Sequence, residues 1–231
     1  MNNNLFGKVR TKLFDIQDMK YQKFHSKLCP GVNNIIGVRT PDIRKIVKEI
    51  LKEDYIDYIV NYSKDYYEEI MIEGLLIAQS KLSFIEKEKY LDKFIPKINC
   101  WAITDICAAS FKFNKDELNN LWEYLKKYQD STSEYHLRFM IVMWMDHFLI
   151  DDYIDEVLSN IDNIKSDYYY VKMAIAWLIS ILYIKYPDIT IKYLKNNNLD
   201  IWTYNKALQK IIESSRVSKR EKEKIRMLKI K

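Results

Sequence analysis

Asn99-Cys-Trp-Ala-Ile-Thr-Asp-Ile-Cys-Ala-Ala-Ser-Phe111 decides how the rest of the chain is read. Taken as a helix, it sets Trp101 and Asp105 four residues apart, one above the other on a single face. An indole beside a carboxylate can stack on a flat group and stabilise a positive charge. The stretch also seeds a repeat. Tyr67, Trp101, Tyr135 and Tyr169 form a column in which each residue lies 34 after the last. Three residues further on, the column reads Ile70, Thr104, Arg138, Lys172, and the next reads Met71, Asp105, Phe139, Met173. Seven past the aromatic stand Gly74, Ala108, Val142 and Ala176, small residues that suit close helix packing. A fifth copy begins near Tyr204, slipped by one position.

Each copy follows another amphipathic segment, at 55–62, 89–98, 118–128, 152–161 and 190–195. Two helices per unit of this length predict an all-α chain, an α-solenoid of HEAT-like repeats curved around a concave face. No tetratricopeptide signature is present. Only four Gly and four Pro interrupt 231 residues, which favours helix over sheet. The pattern predicts a single repeat domain over 1–231, with N-terminal helices over 1–50, repeats over 51–214 and a basic helix or tail over 215–231. Within the first part, 5–16 and 18–28 read as helices, the second stopped by Pro30-Gly31. Thr40-Pro41-Asp42 reads as an N-cap, a first-turn proline and a first-turn acid.

Composition excludes several classes. No apolar run approaches the roughly 20 residues of a membrane span, and no signal-peptide pattern opens the chain, so no membrane partner is expected. The three cysteines, Cys29, Cys100 and Cys107, are odd in number and lack metal-ligand spacing; reduced thiols in a cytoplasmic protein are the expectation. The net charge of +5 is local. Residues 216–231 hold eight basic and two acidic side chains, a net of +6, which leaves −1 for the rest. Such a tail either attracts nucleic acid or simply solvates a helix end. No Ser/His/Asp order, phosphate-cradling glycine loop or HExxH is found, and His25, His136 and His147 share no spacing. No metal and no cofactor are expected.

Asp105 stands where the sister copies carry Met71, Phe139 and Met173. A buried unpaired carboxylate would cost several kcal/mol, so Asp105 either bonds to a neighbouring helix or faces a wet groove. Arg138 and Lys172 fall one column earlier, on the same expected face; otherwise they are surface charges. Trp177 occupies a core-like column shared with Ala109 and Met143. Trp122, Trp144 and Trp202 read as packing.

Five blocks in order carry a resemblance: GVRTPDIRKIVKEI (37–50), INCWAITDICAASF (98–111), RFMIVMWMDHF (138–148), YYYVKMAIAWLIS (168–180) and WTYNKALQKIIES (202–214). They resemble the DNA alkylation repair proteins of the AlkD type, which are built of HEAT-like repeats. The resemblance implies a monofunctional DNA glycosylase that hydrolyses the N-glycosidic bond of cationic N3- and N7-alkylated purines in double-stranded DNA and leaves the damaged base stacked. By the same resemblance, Trp101 packs against the deoxyribose, Asp105 stabilises the oxocarbenium-like sugar and positions water, and Arg138 lies near the backbone. Trp177 is a second aromatic wall. Asn205, Lys206, Gln209 and Lys210 are backbone contacts, and Lys172 is counted with the substrate-binding residues. A monomer is expected. The short run 17–39, with Tyr21, Phe24, His25 and Lys27, resembles a branch whose N-terminal DNA-clasping element is shortened. The alternatives are a non-catalytic HEAT-like DNA-binding protein and a protein-interaction solenoid.

Overall fold

The computed structural model describes residues 5–230; residues 1–4 and Lys231, the ends of the expected N-terminal and C-terminal regions, lie outside the described residues. The described chain is all-helical. Its α-helices are α1 (Leu5–Asp15), α2 (Met19–Leu28), α3 (Thr40–Ile50), α4 (Tyr55–Asn61), α5 (Tyr67–Gln79), α6 (Phe84–Phe94), α7 (Trp101–Ala108), α8 (Lys115–Lys126), α9 (Glu134–His147), α10 (Ile154–Asn163), α11 (Tyr169–Lys185), α12 (Pro187–Lys195), α13 (Ile201–Glu213) and α14 (Lys219–Arg226). A short 3₁₀ turn, Ile95–Lys97, follows α6. This is the architecture of HEAT-like repeats. The aromatic column falls on helix starts: Tyr67, Trp101 and Tyr169 are the first residues of α5, α7 and α11, and Tyr135 is the second of α9. The chain packs as two compact units that divide within α8, between Tyr124 and Leu125.

In the first unit α3 packs on α5 and α5 on α7, with α4 and α6 also against α5. Helix α5 is buried on every side, from Tyr67 to Ala78. That is what a helix apolar nearly all round requires, at about 1.5–3 kcal/mol per large side chain removed from water. The small column does what its residues suggest. A Cβ on Gly74 would lie 2.3 Å from Phe94 Cζ and 2.5 Å from Cys107 Sγ.

Three glutamates sit in this buried helix, each satisfied. Glu68 accepts from the N–H groups of Ile36, Gly37 and Val38 at 2.9, 2.7 and 3.1 Å, fixing the segment that leads into α3. Glu69 holds Arg10 of α1 at 2.6 Å, and Glu73 holds Lys97 at 2.7 Å. Burial pushes the Glu68 and Glu73 carboxyls up; the N–H bonds and Lys97 act against it.

Several boundaries differ from the sequence reading, two of them for reasons of capping. Helix α6 starts at Phe84, not near residue 89, because Ser83 and Glu86 form a capping box there. Thr40 is the first helical residue rather than the cap; Arg39 holds the cap position and makes no side-chain cap bond.

In the second unit α9 packs on α11, α11 on α12 and α13, and α13 on α14. The basic C-terminal segment is docked rather than loose. Ile225 is fully buried, the Tyr204 hydroxyl donates to the Leu228 carbonyl at 3.1 Å, and Asn205 bonds both backbone groups of Ile230.

Candidate functional site

Helix α7 opens with Trp101 and presents one face outward. Ala102, Ile103, Thr104, Cys107 and Ala108 are buried against the unit. Trp101 and Asp105 are half-buried, and Ala109, one turn further, is exposed. This i, i+4, i+8 line is the open side of the helix. In α5 the same positions, Tyr67, Met71 and Leu75, are buried, as are Phe139 and Met143 of α9. Asp105 thus replaces a core residue at a position where its own helix is open to water.

The Trp101 ring is fixed from below. Its indole N–H donates to the carbonyl oxygen of Leu28, the last residue of α2, at 2.8 Å. Beneath that contact His25 is 6% exposed, stacked on Tyr21 and tilted against Tyr67. The Cys29 sulfur lies 3.5 Å from His25 Nε2. Cys29 and Cys100, the residue before Trp101, are free thiols that act on one another; this pushes Cys29 up and holds Cys100 down, while the charge of Asp105 works against a thiolate at Cys100. Burial lowers the His25 pKa. Helix α2 therefore ends against the helix that bears the Trp–Asp pair.

In the second unit Arg138 is 5% exposed on α9, so it is no ordinary surface charge. Its guanidinium donates to the Tyr170 carbonyl at 2.7 Å and lies 5.9 Å from the Tyr170 ring centre. The Tyr170 N–H in turn donates to Glu134 at 2.9 Å. On α11 the open line is Tyr169, Met173 and Trp177, the same columns that are open in α7. Lys172 sits 3.4 Å from Asp200 and 3.9 Å from Asp167, so its charge is largely met.

Trp202 corrects the sequence reading. It is exposed on α13 rather than packed in the core. Tyr169 meets its ring edge-on at 5.6 Å, and the ammonium groups of Lys172 and Lys206 lie 5.8 and 5.4 Å from its centre. Trp122 and Trp144 are buried, as read.

The expected cluster on α13 separates by role. Lys206 bonds to Gln209 and Gln209 to Glu213 along an exposed edge. Lys210 is half-buried. Asn205 is engaged by the C-terminal segment at Ile230. Two features escaped the sequence reading. The Leu28 carbonyl is a backbone group and leaves no side-chain signature. The Tyr169–Trp202 pair was visible only as a tryptophan near a helix start.

No helix among the described residues is long and apolar enough to cross a membrane. Among the described residues no group of three His, Cys, Asp or Glu side chains is placed to hold a metal ion. No curated protein matches the chain. The profile of the family described as DNA alkylation repair enzyme matches residues 9–211, which takes in all five blocks but the last three positions. The chain belongs to that family, the DNA alkylation repair enzymes of the AlkD type, and its role is in DNA repair.

Proposed function

We propose that the protein is a monofunctional DNA glycosylase that removes cationic N3- or N7-alkylated purines from double-stranded DNA. One observation carries the reading: a carboxylate, Asp105, stands on the open side of α7 one turn from an anchored indole, where sister helices bury Met71 and Phe139. The family match supports it.

The chemistry needs little else. In an alkylated purine the base already bears the positive charge. The bond from the sugar C1′ to the base nitrogen breaks, its electron pair neutralises the base, and the cation passes to the sugar. Water then adds at C1′ and gives up a proton, which the Asp105 carboxylate accepts and passes to solvent. Asp105 stabilises the sugar cation and orients that water; the face of Trp101 adds cation–π attraction and excludes bulk solvent. No acid is needed to activate the leaving group, so the scheme calls on no metal or cofactor. Arg138, Lys172, Trp177 and the α13 residues Lys206, Gln209 and Lys210 are assigned to contacts with the substrate and its backbone. Asn205 shapes that edge through its bonds to Ile230. We read the protein as a monomer acting in the cytoplasm.

The test is release of base from methylated duplex DNA. N7-methylguanine freed above the spontaneous rate supports the proposal. Duplex binding with no release assigns the protein instead to the non-catalytic DNA binders.

A further inference from the structure

A polar cavity opens in the first unit, one turn beyond Asp105. It has a volume of about 500 Å³, and its wall holds three cations, Arg44, Lys87 and Lys112, with the polar side chains of Gln79, Ser80 and Ser110. No carboxylate lines it. The cations come from three places: α3, α6 and the segment after α7. Ala109 joins them in the wall, and its N–H bonds to the Asp105 carbonyl at 3.1 Å.

Lysines and arginines often gather at helix C-termini simply to meet carbonyl groups, and the ends of α5 and α7 do reach this wall. Each helix end is worth about half a negative charge. Together they offset about one of the three cations. Lys87 fills that role: it is 5% exposed and its ammonium donates to the Ala78 carbonyl at 3.2 Å. Glu117, the acid that acts on Lys87, is itself bonded to the N–H groups of Phe84 and Asn114 and stands outside the wall. The side chains of Arg44 and Lys112 make no ion pair or hydrogen bond with the described residues. Two cations are thus left unmatched over a concave surface, with a third buried behind them.

We propose that this cavity binds a phosphodiester of the DNA backbone on the strand whose sugar faces Asp105. The proposal rests on the DNA-repair reading above. An arginine fork and an ammonium suit a phosphate with two unesterified oxygens. The spacing also fits. Ala109 is one turn from Asp105, about 6 Å along the axis. Phosphates on one strand recur every ~3.4 Å of duplex axis. A strand running along α7 with its sugar at Asp105 would bring a phosphate one or two nucleotides away to this cavity.

Duplex affinity is measured by fluorescence anisotropy across a salt series. Wild type is compared with the Arg44→Gln/Lys112→Gln double variant and a charge-matched Lys192→Gln/Lys195→Gln control, with base release from methylated duplex followed in parallel. The cavity variant is expected to bind about tenfold more weakly at low salt, with a log–log salt slope shallower by about 0.9 for one lost phosphate contact. The control keeps the wild-type affinity and slope. Equal affinity and slope for the cavity variant and wild type overturn the proposal, even where base release is found. A shallower slope without base release upholds the cavity and removes the glycosylase. Failure of wild type to bind duplex overturns both. A thermal shift with inorganic phosphate in a wild type that does not bind duplex reassigns the cavity to a small anion and likewise overturns it.

Discussion

The indole N–H of Trp101 donates to the carbonyl oxygen of Leu28 at 2.8 Å, across 73 residues of sequence. The bond ties the end of α2 to the start of α7 and sets the plane of the ring that stands one turn from Asp105. Trp101→Phe keeps an aromatic face but leaves the Leu28 carbonyl without this donor. A loss of about 1 kcal/mol in stability is expected, read from urea melts. Base release is expected to fall several-fold more than duplex affinity. An unchanged rate would show that the ring plane does not matter to the chemistry.

Glu68 is fully buried and takes three backbone N–H groups from residues 36–38. Glu68→Ala strands those donors inside the unit. A loss of about 3 kcal/mol or more is expected by chemical denaturation, because each buried unmet donor costs about 1–3 kcal/mol. Amide exchange should quicken first at Ile36, Gly37 and Val38. Protection unchanged at these three amides would refute the assignment.

Gly74 lies where α5, α6 and α7 meet, and a Cβ there meets Phe94 and Cys107. Ala is the better helix former, so propensity alone favours Gly74→Ala by up to about 1 kcal/mol. Overpacking costs about 1–3 kcal/mol and is expected to win. The variant should melt below wild type, and adding Phe94→Leu should restore part of the loss. A higher melting temperature for Gly74→Ala would contradict the packing described.

Lys64 donates to the Tyr58 and Tyr62 carbonyls at 2.7 and 2.6 Å and lies 4.8 Å from the Tyr58 ring centre. Burial pulls its pKa down to about 8, with Lys97 adding to the effect and Glu73 opposing it. Between about 8 and the ordinary 10.5 the unfolded chain binds more protons than the folded one. Stability contributed at this position therefore rises with pH across that window. The stability difference between wild type and Lys64→Met should move in favour of wild type by ~1 kcal/mol from pH 7.5 to 10.5, a figure discounted for partial exposure. A flat difference would contradict the shift.

The aromatic column made the architecture legible because a helix start needs no partner to be recognised: Tyr67, Trp101 and Tyr169 open their helices. The odd carboxylate at Asp105 was visible for the same reason, as a polar residue in an apolar column. What lay hidden depends on distant groups meeting. Leu28 acts through its backbone. Arg44, Lys87 and Lys112 come from three segments with no common period. Trp202 misled because large aromatics usually pack inside, yet it follows the Asp200 cap at an exposed first turn of α13. The start of α6 was there to be read in Ser83 and Glu86, but apolar spacing alone placed it near residue 89 instead of at Phe84.

The central claim is that the Asp105 carboxylate carries base excision. Single-turnover release of N7-methylguanine from duplex DNA, with wild type and Asp105→Asn both saturating the substrate, tests it most directly. Wild type is expected to exceed the spontaneous rate, and Asp105→Asn to release base about 100-fold more slowly or worse while holding DNA within a few-fold of wild-type affinity. Equal rates for the two proteins, or no release by either above the spontaneous background, would contradict the claim.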